Sequence, residues 1–534
     1  MNVQCWHRGS KQVFHFSNAL IIDGSAAAPY RGDVLVEGDH IEAILPPFSE
    51  PVSGAIDCSS LMLTPGFVDL HGHSELEVLR LPSMRPKIGQ GITTEVAGNC
   101  GIGVFPAHKG SPSLKALTND VLGSYPDVGW EDFSSYLKTW HMAGSGTNMA
   151  FLQAHSTLRS FVLEGNPNRS ATSAEVETMC HLLRTSLEQG CLGLSSGLYY
   201  APCLFADHKE LLALLEVVRQ YDRLFCVHVR CEGDGILSSL EEVLSLARLS
   251  GVRLQISHLK VIGRENQHLL PSMLGLIEDA RTEGIDVHFD QYPYEYGSTS
   301  LFSLLPPPYL RLERSDLQGH LKSKCERDSI KRMMEEGDGW DSLAALCGWD
   351  AIRILSLDSN PRYIGKTLTE IASERGQGPY DAFFDLLAEE EGAALMTDIT
   401  QSQDTIKRIL SHSLMCFGTD ALYAGTMSHP RSFQAAIHLL DRYGKQQQVL
   451  PLEQLIAKMT WAGASRLGLS DRGLVRKGYK ADLVLLDWQT LSDNSTQANP
   501  DAKSTGIAMV MVNGEIAYQD GQFTDSRTGT ALLF

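Results

Sequence analysis

The sequence lacks the segments that mark exported or membrane-spanning proteins. No apolar run approaches transmembrane length, and the N-terminal stretch MNVQCWHRGSKQVFHF has no continuous apolar segment of the kind a signal peptide needs. The chain also lacks any Cys-x-x-Cys pair, and its 11 cysteines are scattered singly, which is typical of reduced thiols. We therefore expect a cytoplasmic protein without a disulfide framework.

Positive charge is scarce as well. Against 64 Asp and Glu residues there are 45 Lys and Arg, a formal net charge of −19. Binding to phosphate backbones or to anionic lipid needs a basic surface, so nucleic acid and membrane are not expected partners. A small acidic substrate is still compatible, because a few buried cations can dominate the field inside a cleft.

The chain has enough length and apolar content for several domains. Its 534 residues, 43% hydrophobic, predict two or three. Short alternating segments separated by Gly and Asp turns fill both ends and predict antiparallel strands. We expect residues 1–63 and 466–534 to pair into one small β-sandwich, with the part between them as a single inserted domain.

That central part, residues 64–465, alternates apolar runs with amphipathic helical patterns. Strands alternating with helices predict parallel βαβ units, and eight of them predict an α/β fold of the (β/α)8 barrel type. The gap before the last strand is too long for one crossover, so an inserted lid is expected at about 298–395. The eight runs end near Leu70, Val96, Gln153, Ser195, Val227, Ser257, Asp290 and Gly418.

Chemistry-bearing residues cluster at the ends of these runs. The segment TPGFVDLHGH places His71 and His73 on the same side of an extended chain. In such barrels the active site lies at the carboxyl ends of the strands. Thiolate, imidazole and carboxylate groups converging there indicate a metal site, and Zn²⁺ fits it best. Six residues meet this positional test: His71, His73, Cys100, His228, His258 and Asp420.

Each of these residues also has a plainer interpretation. A single histidine is more often a hydrogen-bonded residue near the core, and Asp420, in FGTDA, could be the N-cap of a helix. All six falling at strand ends by chance is much less expected. We therefore interpret Asp420 as a general base that takes a proton from water and returns it to a leaving amine.

Several blocks together resemble the amidohydrolase superfamily and, more closely, its N-acyl-D-amino-acid deacylases, the D-aminoacylases. They occur in family order and cover most of residues 61–487. The blocks are TPGFVDLHGH, GITTEVAGNCGIG, GLSSGLYYAP, HVRCEGDG, ISHLKVIGRENQ, FDQYPYEYGST, GTDA, HPRSF and ADLVLLD.

The resemblance implies a particular metal arrangement. One tightly held zinc would be bound by Cys100, His228 and His258. A second, weaker or vacant position would be lined by His71, His73 and Asp420. The fourth-strand block GLSSGLYYAP has no lysine. It therefore departs from amidohydrolases that bridge two metals with a carboxylated lysine, such as hydantoinases and dihydroorotases.

The resemblance also implies a clamp for the substrate α-carboxylate, formed by Lys260, Arg431 and Tyr200. A guanidinium suits a planar carboxylate well. Taken singly, the two cations could be surface charges and the tyrosine a core residue. This chain departs from the family at Ser74 and Cys231, where acidic residues are usual; neither change removes a proposed zinc ligand, but both alter the surroundings that orient the ligands.

The resulting hypothesis is zinc-dependent hydrolysis of a small-molecule N-acyl-D-amino acid to a carboxylate and a free D-amino acid. Two alternatives stay open. One is a hydrolase acting on a cyclic amide or a D-configured dipeptide. The other is a catalytically silent barrel kept as a binding protein. The sequence makes no prediction of oligomeric state.

Overall fold

A computed structural model of the chain describes residues 6–8, 11–47, 54–111, 121–123, 125, 129–337, 339–390 and 392–534. Within these ranges no helix is both long and apolar enough to cross a lipid bilayer. The ten cysteines in the described ranges are free thiols. Parts of the N-terminal stretch discussed above, residues 1–5 and 9–10, lie outside the described residues.

The centre of the molecule is a parallel eight-stranded barrel, as predicted. Neighbouring strands follow one another in chain order. The first and last strands meet through a parallel bridge between Gly72 and Ala421 and through the Leu70 N–H, which donates to the Phe417 carbonyl at 3.1 Å. The strands are β1 Phe67–Asp69, β2 Ile92–Ala97, β3 Asn148–Ala154, β4 Gly193–Gly197, β5 Leu224–His228, β6 Arg253–Ile256, β7 Val287–Gln291 and β8 Met415–Phe417.

Amphipathic helices surround the barrel because each presents one apolar stripe. In Ile236–Ser250 the buried residues Leu240, Val243, Leu244 and Ala247 recur at helical spacing and face the strands. The α-helices of this layer are Glu77–Arg80, Arg85–Ile88, Phe133–Ala143, His155–Val162, Ser173–Glu188, His208–Gln220, Ile236–Ser250, Leu270–Thr282, Gln403–Ser411, Arg431–His438, Leu452–Met459 and Trp461–Leu467. Shorter turns are the 3₁₀ segments Cys203–Phe205 and Glu265–Leu269 and the π-helical segment Leu439–Gln446.

Strands from both chain ends form one ten-stranded sheet against the barrel. Leu483–Leu486 shows how it is buried on both faces: Leu483 and Leu485 join the sheet's own core, whereas Val484 and Leu486 join the barrel core. The path of the sheet is Gln522–Phe523, Glu515–Gln519, Ile507–Val512, Leu483–Leu486, Met62–Pro65, Lys11–Ile21, Tyr30–Glu37 and His40–Leu45, with Trp6–Arg8 and Ile56–Asp57 also paired to Lys11–Ile21.

The predicted insertion lies between β7 and β8 and has its own apolar core. Its three-stranded antiparallel sheet has the order Tyr296–Ser300, Ala394–Ile399, Arg353–Leu357. The α-helices are Arg314–Lys322, Lys324–Glu336, Leu343–Cys347, Leu368–Arg375 and Pro379–Glu389, and the 3₁₀ segments are Leu301–Leu304, Tyr309–Arg311 and Pro361–Tyr363. The insertion therefore begins close to the end of β7, beside the mouth of the barrel.

Candidate metal centre

The six predicted residues converge at the carboxyl-terminal mouth of the barrel. All are at least nine-tenths buried. One of them, His228, ends its strand, and the others lie on the loops that follow the strands. Their positions are His71 and His73 after β1, Cys100 after β2, His228 at the end of β5, His258 after β6 and Asp420 after β8.

His71 and His73 lie beyond the strand in which the sequence pattern placed them. β1 ends at Asp69, and the segment that follows is held against the last strand instead. The Asp420 N–H donates to the His71 carbonyl at 2.7 Å, and the His73 N–H donates to the Ala421 carbonyl at 3.2 Å. Both imidazoles still reach the same centre, but through these bonds and not through strand alternation.

The first ligand set combines one thiol with two imidazoles. Cys100 Sγ lies 3.4 Å from His258 Nε2 and 4.0 Å from His228 Nδ1, and those two nitrogens are 2.9 Å apart. Tetrahedral zinc with ordinary bond lengths would separate sulfur from nitrogen by about 3.5 Å and the two nitrogens by about 3.3 Å. The two sulfur–nitrogen distances bracket the first value, and the nitrogen–nitrogen distance of 2.9 Å is shorter than the second.

A second set shares the same centre. His73 Nε2 lies 3.2 Å from Asp420 Oδ1, and His71 Nε2 lies 3.5 Å from the same oxygen and 3.2 Å from Cys100 Sγ. The donor atoms of His71, His73 and Asp420 fall within 4.8 Å of one another, as do those of His71, Cys100 and His258. His71 therefore stands between the two positions.

The chemistry of the donor set supports metal binding. Each candidate ligand directs one donor atom at the centre, His73 through Nε2 and His228 through Nδ1. The opposite ring nitrogens, His73 Nδ1 and His228 Nε2, are buried without a hydrogen-bond partner and belong to neither ligand set. Thiolate, imidazole and carboxylate donors at these spacings fit a borderline-soft divalent ion.

Backbone conformation at the site is also unusual. Cys100, His258 and Asp420 have φ angles of 53°, 34° and 53°. Side chains other than glycine seldom occupy this left-handed region, and such strain collects at functional sites. Three ligand candidates thus adopt a conformation that only the surrounding structure can impose.

Asp290, in β7, orients two of the histidines. Its Oδ1 lies 2.9 Å from His71 Nδ1 and accepts the His258 N–H at 2.8 Å. With the His71 Nδ1 proton on this bond, the Nε2 lone pair is left facing the centre. Asp290 was noted in the sequence only as a strand end, although the test that selected the other six residues would also select it.

Glu232 orients the other side of the centre. One carboxylate oxygen accepts from Lys260 Nζ at 2.5 Å and lies 3.1 Å from His258 Nδ1, and the other lies 3.6 Å from His228 Nε2. Lys260 Nζ also lies 2.8 Å from His258 Nδ1, so Glu232 and Lys260 together fix this side of the ring, while Nε2 faces the centre. Sequence reasoning missed this role, because Glu232 lies four residues past His228 on a loop.

Electrostatics keep the donors in their metal-binding forms. Burial would raise the pKa of the Cys100 thiol, but the neighbouring His71 and His258 hold it well below its usual range. Burial likewise opposes ionisation of Asp420, and the Arg431 guanidinium together with His71 and His73 holds that pKa well below normal.

The pKa values of the His71 and His73 rings are raised. Burial would lower them, but Cys100, Asp290 and Asp420 raise the pKa of His71 well above its ordinary value. Burial is outweighed in the same way at His73, where a hydrogen bond to Asp420 and the Cys100 thiolate raise the pKa to about 9. The thiolate and carboxylates at the centre therefore favour positive charge on both rings.

The three predicted carboxylate-binding residues border the same centre. Arg431 Nη1 pairs with Asp420 Oδ2 at 2.8 Å, and its Nη2 donates to the Ser298 carbonyl at 3.2 Å. Lys260 pairs with Glu232, and the Tyr200 hydroxyl accepts from Thr299 at 3.1 Å. Arg431 Nε is buried without a partner. All three side chains line the small cavity beside the ligands.

One further aromatic residue joins the two cations. The Tyr292 ring lies 4.8 Å from the Arg431 guanidinium carbon and 5.9 Å from Lys260 Nζ. A ring face attracts cations within about 6 Å, so Tyr292 helps to hold both in place. It lies in the block FDQYPY, and the missed signal was again its position just after a barrel strand.

A cavity of about 310 Å³ opens from the ligands toward the insertion. Cys100, His258 and Asp420 line it on the side of the ligands. Phe302 and Tyr309 of the insertion form part of its wall. The insertion therefore helps to enclose the space next to the centre.

The two departures from the family pattern do not remove a ligand. Ser74 donates to Glu95 Oε2 at 2.7 Å, and the Cys231 N–H donates to the Ser239 hydroxyl at 2.9 Å. Glu75 is buried with both carboxylate oxygens unpartnered, and burial raises its pKa to about 7. Glu75 is therefore an acid next to the histidine pair, without a direct bond to either ring.

Comparison with known proteins places these features in context. A model of the amidohydrolase family matches residues 54–292 and 366–518. The D-aminoacylase of Alcaligenes xylosoxydans xylosoxydans is 32% identical over 516 residues, covering 97% of this chain and 96% of that protein. The similarity thus extends over the barrel, the end sheet and the insertion.

Solved structures show the same extent of likeness. The N-acyl-D-glutamate deacylase of Bordetella bronchiseptica, complexed with zinc and a phosphonate inhibitor, superposes with a TM-score of 0.83. It is 31% identical, and the match covers 98% of this chain and 99% of that one. A D-aminoacylase structure described with a binuclear metal centre is 30% identical, with a TM-score of 0.82 and the same coverage.

Proposed function

Because this chain belongs to the amidohydrolase family and is a hydrolase of linear amide carbon–nitrogen bonds, we propose that it hydrolyses N-acyl-D-amino acids with the help of zinc. The products would be a carboxylate and a free D-amino acid. The proposal draws support from the relatives and from the chemistry of the residues at the barrel mouth.

Cys100, His228 and His258 would hold the tight zinc, and His71, His73 and Asp420 would line a second position. The ion, when bound, would act as a Lewis acid on the scissile carbonyl and make a neighbouring water more acidic. Asp290 and Glu232 would keep the ligand rings turned so that their free nitrogens face the centre.

Asp420 would move the protons of the reaction. Its Oδ1 faces the two histidines of the second set, and its Oδ2 is held by Arg431. As a carboxylate it can take a proton from the attacking water and later give that proton to the leaving amine nitrogen. A substrate carboxylate sharing Arg431 would weaken the Asp420–Arg431 pair and so make Asp420 a stronger base.

Arg431, Lys260 and Tyr200 would bind the substrate α-carboxylate. The substrate is fixed at two points, its carboxylate and its acyl carbonyl. With both points fixed, only one configuration at the α-carbon directs the side chain into open space. The selection of D-isomers would follow from these two fixed points together with the cavity wall.

The contact between Arg431 and Asp420 is the observation that carries the proposal. It places a buried guanidinium with an unpartnered Nε within 2.8 Å of the proposed base. A substrate that binds this cation through its carboxylate brings its amide to the proton-transferring group. A cyclic amide without a carboxylate would gain nothing from this arrangement.

The first test is amine release from N-acetyl amino acids of both hands, with metal analysis of the same purified sample. Turnover confined to D-isomers, with about one zinc per chain, is the expected result. Zinc without turnover would refute this substrate class and direct the search to cyclic amides and D-dipeptides. Absence of both zinc and turnover would indicate a silent barrel.

Two variants separate metal binding from proton transfer. Asp420→Asn should keep the tight zinc and lose about 10²- to 10⁴-fold in kcat, the usual contribution of a general acid or base. Cys100→Ala should lose the tight zinc itself. An active Asn variant would rule out the role given to Asp420, and full zinc content in Cys100→Ala would rule out that ligand.

A further inference from the structure

Lys87 is a buried cation close to, but not part of, the candidate centre. It lies in the short helix Arg85–Ile88 and is fully buried. Its ammonium donates to Asp69 Oδ2 at 2.5 Å and to Thr419 Oγ1 at 3.1 Å, and it pairs with Glu95 Oε2 at 3.2 Å. A buried ion pair seldom adds stability over an apolar equivalent, so this cluster calls for another explanation.

The first carboxylate of the cluster ties the first barrel strand to the last. Asp69 Oδ1 accepts the His71 N–H at 3.1 Å and the Thr419 N–H at 2.8 Å. Its Oδ2 accepts from the Thr419 hydroxyl at 2.7 Å as well as from Lys87. One carboxylate thus fixes the backbone just before a histidine of the second ligand set and just before Asp420.

The second carboxylate ties in the chain after the histidine pair. Glu95 Oε2 accepts from the Ser74 hydroxyl at 2.7 Å, and Oε1 accepts from the Thr147 hydroxyl at 2.9 Å. Ser74 directly follows His73. The Lys87 ammonium therefore contacts Asp69, which binds the backbone at His71, and Glu95, which binds Ser74 after His73. It also contacts Thr419, the residue before Asp420.

We infer that Lys87 is a positioning residue that sets the separation between the His71–His73 pair and Asp420. Lys87 contacts none of these three side chains and acts through Asp69, Glu95 and Thr419. This inference rests on the proposed function for the role of Asp420 in catalysis, but not for the geometry of the second metal position.

The glycine between the two histidines supports the inference. A Cβ at Gly72 would lie 3.2 Å from Lys87 Nζ and 3.3 Å from Glu95 Oε2. Since Gly72 has no positive φ angle, backbone conformation does not require a glycine there. A side chain at Gly72 would instead press on the buried ion pair, so the cluster packs directly against the backbone between the two histidines.

The test compares three variants. Lys87→Met removes the ammonium and leaves two buried carboxylates without a cation. Lys87→Met/Glu95→Gln also removes the cation but keeps the net charge of the wild-type cluster. Lys458→Met is the matched control, since Lys458 is a part-buried ammonium bonded at 2.5 Å to the His412 carbonyl, outside the site.

Two readouts are needed. One is kcat and KM on an N-acyl-D-amino acid, and the other is a Co²⁺ titration of metal-stripped protein followed by visible absorption. Lys87→Met should lower kcat about 10- to 100-fold, because small misplacements of reacting groups cost about that much. KM should change less than about threefold, and the second Co²⁺ should bind at least about 10-fold more weakly.

The double variant decides between positioning and stability. It should recover most of the melting temperature that Lys87→Met loses, while kcat and the second Co²⁺ affinity stay low. If kcat and the second Co²⁺ affinity recover along with the melting temperature, the inference is overturned. It is also overturned if Lys87→Met has wild-type kcat and Co²⁺ affinity, or if Lys458→Met loses as much of both as Lys87→Met does. If Lys87→Met does not fold, the double variant alone gives the comparison.

The Co²⁺ titration needs no substrate, which separates this inference from the proposed function. If the wild type hydrolyses no N-acyl-D-amino acid, the proposed function fails, and weaker second-ion binding in the Lys87 variants would still support positioning. If the wild type is active and the variants bind the second Co²⁺ normally with normal kcat, the positioning role fails alone.

Discussion

Glu232→Gln is the most informative single change outside the proposed ligands. The Glu232 carboxylate contacts Lys260 Nζ at 2.5 Å and also faces the rings of His258 and His228. Burial opposes its ionisation, but Lys260 and the two histidines hold its pKa well below the usual range. The substitution keeps the shape of the side chain and removes its charge.

Two effects of different size should follow. Lys260 is buried, and removing the partner of a buried ion pair typically costs about 3–5 kcal/mol of unfolding free energy. Loss of an orienting carboxylate typically weakens metal binding about 10- to 100-fold, which is about 1.4–2.7 kcal/mol. The stability loss should therefore exceed the loss of zinc-binding free energy.

The assay combines chemical denaturation of the metal-free protein with zinc competition against a chelator. Asp234→Asn is the matched control, because Asp234 lies two residues along the same loop and bonds to Asn266 at 2.6 Å, away from the ligands. It should leave zinc affinity within about twofold of the wild type, since substitutions away from the ligands rarely perturb the site.

Different outcomes refute different parts of this reasoning. Normal zinc affinity with reduced stability would mean that Glu232 serves Lys260 and does not orient the histidines. Normal stability with reduced affinity would mean that the Lys260 pair contributes no net stabilisation. Wild-type values for both would remove Glu232 from any account of the site.

Three further predictions test the surroundings of the centre. Burial raises the pKa of Asp398 to about 6, above the ordinary value of 3.8, so its ionisation destabilises the folded state as pH rises. In denaturation experiments, the unfolding free energy of Asp398→Asn should exceed that of the wild type by about 1.5 kcal/mol at pH 5 and about 3 kcal/mol at pH 8. A stability gain that does not grow with pH would refute the raised pKa. Gly418→Ala should cost about 1–3 kcal/mol and weaken zinc binding in a competition assay, because its Cβ would lie 2.8 Å from the His71 Cβ and 3.1 Å from Asp290 Oδ1; unchanged affinity would show that His71 and Asp290 move without consequence. Chelation should abolish turnover and lower the melting temperature, with both restored by zinc; turnover that survives complete metal removal would exclude zinc-dependent hydrolysis.

The barrel was predictable because its strands are buried on both faces. Such strands are continuous apolar runs, and the predicted ends at Val96, Gln153 and Gly418 fall within one residue of the observed ones. The polar residues just past those ends could be selected with no knowledge of contacts. The boundaries at residues 63 and 466 stay predictions.

The orienting contacts could not be predicted because they join distant parts of the chain. Asp290 meets His71 across 219 residues, and no periodicity encodes that pairing. Alternation suggested that Lys260 would lie beside His258, and it does. However, β6 already ends at Ile256, so Glu232 and not the strand holds the lysine there. Position past a strand end was a good guide to location, but not to contact.

Charge balance gives an argument for a divalent cation that does not depend on the ligand distances. The groups around the centre include four anions when ionised, namely the Cys100 thiolate, Glu232, Asp290 and Asp420, against two cations, Lys260 and Arg431. With the histidine rings neutral, as metal ligation requires, two negative charges are left uncompensated in a buried site, which is a large electrostatic cost. A divalent ion removes that excess.

The same balance bears on the substrate. An anionic N-acyl amino acid would be repelled by a doubly negative pocket, and it meets a nearly neutral one once the ion is bound. Metal and substrate should therefore bind in that order, and substrate affinity measured on metal-stripped protein should fall steeply. Equal substrate affinity with and without the metal would show that Arg431 and Lys260 suffice on their own, and that the buried anions are neutralised by protons instead.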